Sequence, residues 1–403
     1  MKSARSIRLT GARITRDAHN AESMDVVIQR GRIADFGSAH TRGPVIDLSG
    51  YLLLPGLINA HDHLEFSLFP RLGRGPYGNA TEWARDIYHP KRAPLKEHLA
   101  VPKTVRLLWG GIRNLLAGVT TVAHHNPWDK RFDRNFPVQV IRKFGWAHSL
   151  QFSPDLQDRF HNTPPDWPFV IHAAEGDDSS AYSEIARLDA LGVLDSRTVL
   201  VHAIALRQSD IDILQARQCS IVWCPSSNLF TCGKTLTPRT LGAKVPVALG
   251  TDSALTTEGD MGDEICTAQS LERVTRERIF GMVTTSAASI FRLPKGKGEI
   301  QEHGAADVIA VADDGRSPAE ALAGLCPDLV ITAGRIRLIS QRLLMRNPRL
   351  RRRTQQRISI EGRGDWMVDA DISSLYRTAS GALGPGFRLA GKSIRLAGKS
   401  VSV

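Results

Sequence analysis

Between Leu57 and Ser253 the chain repeats one unit, a short apolar run followed by a helical stretch, and this repetition restricts the fold more than any other feature. The apolar runs are LINAHDH (57–63), TTVAHHN (120–126), WAHSLQF (146–152), FVIHAAE (169–175), TVLVHA (198–203), SIVWCP (220–225) and VALGTDS (247–253). Helical patterns lie near 99–117, 180–191 and 208–218, and further helices run to about 291. Strands that alternate with helices at this spacing must run parallel and be joined by crossovers, and this many units point to an α/β barrel. The flanks have a different texture. Residues 5–55 and the stretch after Leu293 are β-type runs broken by glycine turns, which predicts that the two chain ends combine into a separate sheet domain.

Composition narrows the class. Of 403 residues 42% are hydrophobic and 23% charged, ordinary for a globular chain and unlike a disordered or coiled-coil one. The net charge of +11 raises the question of nucleic acid, but residues 331–403 hold 15 basic and 4 acidic residues, so the rest of the chain is neutral. The arginines at 351–353 have no interleaved aromatics to stack bases, and RLAGKS occurs twice, at 388–393 and 395–400, too few copies for a solenoid. The expectation for 342–403 is a basic, partly ordered tail. Five cysteines (Cys219, Cys224, Cys232, Cys266, Cys326) form no paired spacing, no signal-type amino terminus is evident, and no apolar run reaches 18 residues. A cytoplasmic chain with no membrane partner is expected.

The chemistry sits at the strand ends. His61 and His63 flank Asp62, and alternation along a strand sends both imidazoles to one face. His172, His202 and Asp252 each close a later apolar run, where an α/β barrel carries its catalytic groups. The intervals of 30 and 50 residues fit one and then two strand–helix units.

The ordered series GRIADFG, VIDLSGYLLLPGLINAHDH, HAAEG, VHA, WCPSSN and GTDS resembles the amidohydrolase superfamily, in its cytosine deaminase-like and chlorohydrolase-like branch, over about residues 5–311. The resemblance implies a distorted (β/α)8 TIM-like barrel at 56–292 and a small β-sandwich domain formed by both termini, 1–55 plus 293–341. It implies metal ligands at His61, His63, His172 and Asp252, an acid/base at Glu175, and a water-orienting role for His202, with Asp252 also catalytic. Three imidazoles and a carboxylate suit one divalent ion, Zn²⁺ first and Fe²⁺ second, and such an ion lowers the pKa of its water to about 7. A carboxylated lysine bridges the two-metal relatives, but no lysine lies between Lys143 and Lys234, which favours a single ion.

Glu65, His125, Trp83 and Asn228 are the candidates for substrate contact. The segment 153–168 is proline-rich and too short for a usual fourth strand and helix, so the expectation is a barrel trimmed to about seven units or one whose fourth strand is vestigial. The implied activity is hydrolytic deamination of a nitrogen-heterocyclic small molecule, with amide, cyclic amide or halide hydrolysis at the same site as the alternative. A nucleic-acid-binding protein with a structural metal site is a reading of another class, supported by the tail alone. Homo-oligomers are common among the proteins resembled.

Overall fold

The computed structural model describes residues 6–37, 43–351 and 354–396. Its centre is a set of eight parallel strand segments: β1 (Leu57–Asp62), β2 (Val119–His124), β3 (Gln139–Val140), β4 (Gly145–Ser149), β5 (Phe169–Ala173), β6 (Thr198–His202), β7 (Ser220–Trp223) and β8 (Val247–Leu249). β3–β2–β1 form one ladder and β4–β5–β6–β7–β8 another. After β8, the N–H groups of Thr251 and Asp252 both donate to the His61 carbonyl at 3.0 Å, which ties this end of the second ladder to β1. The result is a TIM-barrel-like α/β fold with an interrupted ladder, the break falling between β3 and β4.

That break corrects the expectation about the fourth strand. Residues 153–168 carry a helix (Leu156–Asn162) and no strand, while the shortened unit lies upstream, where a two-residue β3 is joined to β4 by residues 141–144. Four residues cannot hold the helical crossover that parallel neighbours normally need, so the two segments approach without pairing.

Burial explains why the strands read as continuous apolar runs. One face supplies the barrel interior, where Ile58, Ala60, Ala123, Val170, Val201, Val222 and Ala248 pack with Ile290 and Phe291. The other face (Leu57, Val122, Phe169, Leu200, Trp223) packs into the larger surrounding core. Both faces of a parallel sheet are covered, so period-two alternation is lost. Three helices bear on the site: α1 (Lys103–Leu116), α2 (Pro225–Cys232) and α3 (Met261–Ser270).

The chain ends meet. Tyr51–Pro55 pairs with Arg13–Thr15 and with Val308–Ala312, within a ten-stranded sheet that continues through Leu329–Thr332 and Arg335–Ser340. A four-stranded sheet of amino-terminal strands shares a core with it, including Ile7, Ile28, Ile46, Val308, Ile331 and Ile339.

The expected loose tail is built into this architecture instead. Gln356–Ile360, Gly364–Val368 and Lys392–Leu396 extend the ten-stranded sheet. Trp366, Val368, Ile372, Leu375 and Phe387 belong to the main core. Its basic side chains meet acids: Arg335 and Arg337 at Asp369, Arg342 at Asp328, Arg346 at Asp47, Arg363 and Lys392 at Asp260. The first RLAGKS copy is a hairpin whose turn residues Ala390 and Gly391 have φ of 48° and 78°, the double left-handed geometry of a type I′ turn. Residues 397–400 of the second copy, and Arg352 and Arg353, lie outside the described residues.

Candidate active site

Each group expected at a strand end converges on one point. The Nε2 atoms of His61 and His172 lie 3.1 Å apart, and Asp252 Oδ1 is 3.3 Å from Nε2 of His61 and 3.5 Å from that of His63. His202 Nε2 stands 3.5 Å from Glu175 Oε2 and 4.0 Å from Asp252 Oδ2. The backbone is strained at this point: Ala174, His202, Ala203 and Asp252 have φ of 51°, 74°, 49° and 55°. Such left-handed residues cost of order 1–3 kcal/mol each and persist where surrounding structure enforces them, typically at functional sites.

Neighbouring groups set the orientation of each side chain. His172 Nδ1 lies 2.7 Å from the His148 carbonyl of β4, so it carries the proton and leaves Nε2 with its lone pair. Asp252 Oδ2 accepts from Ser227 Oγ (2.6 Å) and Thr256 Oγ (3.2 Å), which turns Oδ1 to the histidines. His202 Nδ1 is 2.7 Å from Asn228 Oδ1, and the Asn228 amide is fixed by donating to Thr235 Oγ, which also accepts from Trp223 Nε1. His202 Nδ1 therefore carries a proton, and Nε2 is the nitrogen that faces Glu175.

Burial dominates the protonation states. It pushes His61 down to about 3 and His172 well below the usual imidazole range, so both are neutral, the form that binds metals. Burial alone would raise the Asp252 carboxyl, but the His61 contact and the neighbouring His202 and His63 outweigh it and keep it ionised. Burial raises Glu175 to about 7, with Asp252 and Glu184 adding to the rise and His202 opposing it. A carboxyl near neutrality between a histidine and an open cavity is suited to proton transfer in both directions.

The residues fit a divalent ion. His172 Nε2, its lone pair freed by the Nδ1 contact to the His148 carbonyl, faces His61 Nε2 at 3.1 Å, and one ligand atom each from His61, His172, His202 and Asp252 falls within 4.8 Å of the others. Behind the site, Asp62 is held by Asn114 Nδ2 (2.7 Å) and Asn59 Nδ2 (3.2 Å), with Arg113 of α1 3.7 Å away. This network fixes the strand between the two histidines.

A cavity of about 650 Å³ opens above the cluster, with His63, His172, Glu175, His202 and Asp252 at its base. Of the four residues expected to contact substrate, Trp83 lines the cavity and donates its indole N–H to the Leu72 carbonyl. The other three do not line it. Glu65 is buried and accepts from Asn126 Nδ2 at 2.8 Å, so it supports a cavity residue. Asn228 is buried behind His202, and His125 lies within the imidazole cluster. In each case the side chain found a protein partner on the far side of the strand end, which a linear pattern cannot show. The expectation missed His148, which lines the cavity, although its place in WAHSLQF obeys the same strand-end rule. Ser227, Thr256 and Arg113 carried no sequence signal, because their roles depend on contacts across 25, 4 and 51 positions.

A TIM-barrel-like fold with convergent imidazoles and a carboxylate at the carboxyl ends of its strands defines a class, the barrel hydrolases that use a divalent ion. Comparison with known proteins narrows the class. Residues 168–337 match the amidohydrolase family. A 5'-deoxyadenosine deaminase of Methanothermobacter thermautotrophicus is 27% identical over 72% of this chain and 81% of its own. A 5-methylthioadenosine/S-adenosylhomocysteine deaminase of Thermococcus sibiricus is 25% identical over 71% and 80%. Among solved structures, a zinc-bound adenosine deaminase from Xanthomonas campestris superposes with a TM-score of 0.70 at 18% identity, covering 94% of this chain and 97% of its own. The zinc complex of atrazine chlorohydrolase from Arthrobacter aurescens gives 0.65 at 18% identity, over 82% and 94%. Residues 168–337 thus match the amidohydrolase family, the curated relatives to which the chain is similar are deaminases, and the solved structures show the same fold.

Proposed function

We propose that this protein is a metal-dependent hydrolase that deaminates a nitrogen heterocycle at an amidine-type carbon. The observation that carries the reading is Glu175, held near pKa 7 at the base of the cavity and 3.5 Å from His202, beside the His61, His63, His172 and Asp252 cluster. One ion, Zn²⁺ before Fe²⁺, bound by those four residues, would supply water with a pKa lowered to about 7. Glu175 delivers its proton to the ring nitrogen of the substrate, regains one from the proton that His202 and Asp252 take from the attacking water, passes it to the departing amine, and is restored by the proton lost as the carbonyl forms. His202 and Asp252 orient the attacking water and receive its proton. Trp83 offers a flat apolar wall to a planar ring, and its own polar atom is already satisfied.

The names of the curated relatives support deamination, and 5'-substituted adenosines head the substrates to try. Amide or halide hydrolysis would use the same groups. The reading takes residues 56–292 as the catalytic unit flanked by 1–55 with 293–341, acting in the cytoplasm on a small molecule. Nothing favours nucleic acid, since the tail cations Arg342, Arg346, Arg363 and Lys392 are engaged by acids of the fold. No helix among the described residues is long and apolar enough to cross a membrane. The test is ammonia release across adenosines, free purines, pyrimidines, triazines and cyclic amides, run beside metal analysis and chloride detection. Release of chloride or carboxylate without ammonia from every substrate that reacts would refute deamination.

A further inference from the structure

We infer that His125 is a fourth imidazole donor to the same metal centre, joining His61, His63 and His172. The inference deepens the reading above and rests on an ion being held there.

His125 follows β2 and is 1% exposed. Its Nε2 is 3.0 Å from the Ala147 carbonyl of β4, so that nitrogen carries the proton. Nδ1 then bears the lone pair, is buried, and makes no hydrogen bond among the described residues. The ring stacks on His172 with centroids 4.4 Å apart and planes 21° apart, and it meets His61 edge-on at 5.0 Å. One ring nitrogen from each of His61, His63, His125 and His172 lies within 4.8 Å of the others.

His125 and His172 are thus held alike. Each donates from one nitrogen to a carbonyl of β4, from adjacent residues 147 and 148, and keeps the other nitrogen free for the cluster. A buried acceptor left unpaired is destabilising, and a shared cation removes that penalty. The set His61, His63, His125, His172 and the set His61, His172, His202, Asp252 have two members in common. A neutral imidazole has one lone pair, so the shared residues serve a single ion, and His125 extends the coordination of that ion instead of building a second site.

The test is X-ray absorption of the full-length protein loaded with one equivalent of zinc, on the native chain and on His125→Gln. Glutamine can still donate an amide N–H to Ala147 but has no nitrogen lone pair. The expected result is four imidazole scatterers per zinc in the native protein and three in the variant, with the zinc dissociation constant against a competing chelator raised roughly tenfold or more, at least the loss that disturbing an outer partner brings. Three scatterers in the native protein, or an unchanged count and affinity in a folded variant, would overturn the role of His125 and leave the rest of the site standing. A native chain that takes up no zinc removes the metal reading altogether, and this inference with it. If His125→Gln does not fold, the native scatterer count alone decides.

Discussion

At the scale of single residues, the site depends on carboxyls whose ionisation burial controls. Glu175→Gln keeps the shape and removes the transferable proton. Turnover should fall by about 10²–10⁴-fold with metal content unchanged, as measured by ammonia release and metal analysis on the same sample. Glu264, on α3, is a second buried carboxyl. Burial raises it to about 8 against an ordinary 4.5, Asp252 adds to the rise, and contacts from Ser226 oppose it. Between those two values the folded state binds more protons than the unfolded one, so stability declines as pH rises through the window. Glu264→Gln, neutral at every pH and able to accept from the Ser226 N–H that now donates to Glu264 Oε1 at 3.0 Å, removes the penalty. Melting curves should show the variant above the native protein at pH 8 and the gap closing towards pH 5; a pH-independent gap would contradict this.

At the scale of elements, the start of α2 is a positioning device. Consecutive residues of the CPSSN turn act on different targets: Ser226 N–H donates to Glu264, Ser227 Oγ donates to Asp252 Oδ2, and Asn228 Oδ1 accepts from His202 Nδ1. A helical first turn fans successive side chains and N–H groups around its axis, so three functions fit in three residues. Asn228→Leu leaves His202 free to rotate or change tautomer. If His202 has the role proposed for it, a 10–100-fold fall in kcat with KM nearly constant is expected, because groups that orient such a histidine act at that level. A change confined to KM would instead restore Asn228 to substrate contact. β4 plays the matching role across the barrel, since its Ala147 and His148 carbonyls hold His125 and His172.

At the scale of the whole molecule, the carboxy-terminal segment reaches the catalytic barrel through Asp260, the N-cap of α3. Arg363 is 2.6 Å and Lys392 3.0 Å from Asp260, Gly259 N–H donates to the Ala390 carbonyl, and Arg113 Nε donates to the Gly259 carbonyl on the way to Asp62. Arg363→Met strips one of two cationic partners from a buried carboxylate and should destabilise the fold by about 1–3 kcal/mol, read from denaturant unfolding. Truncation after Ser340 removes Trp366, Val368, Ile372 and Leu375 from the main core and should yield no soluble folded protein. A stable, active truncation would return the segment to the status of a tail. Chelation should lower the melting temperature of the holoprotein and zinc should restore it, because an ion that binds only the folded state stabilises it by mass action.

The strand–helix repeat and the ligand series at strand ends were legible because they are local: period, spacing and residue type stand in the linear order. His61, His63, His172, His202 and Asp252 were named on that basis and Glu175 through the resemblance to a family, and they meet in space. His125, Asn228 and Glu65 were expected to contact substrate and do not line the cavity, since alternation says which face a side chain leaves and not what waits there. The placement of the described residues after Ser340 was equally hidden. Their positive charge reads as a solvated tail until Asp260, Asp328 and Asp47 are seen opposite it. The sequence alone therefore determined the barrel class and the chemical kind of site, through short-range periodicity and strand-end chemistry. Which histidines share a centre, which residues orient them, and that the basic segment completes the core were decided by the tertiary structure, because those contacts join positions far apart in the chain.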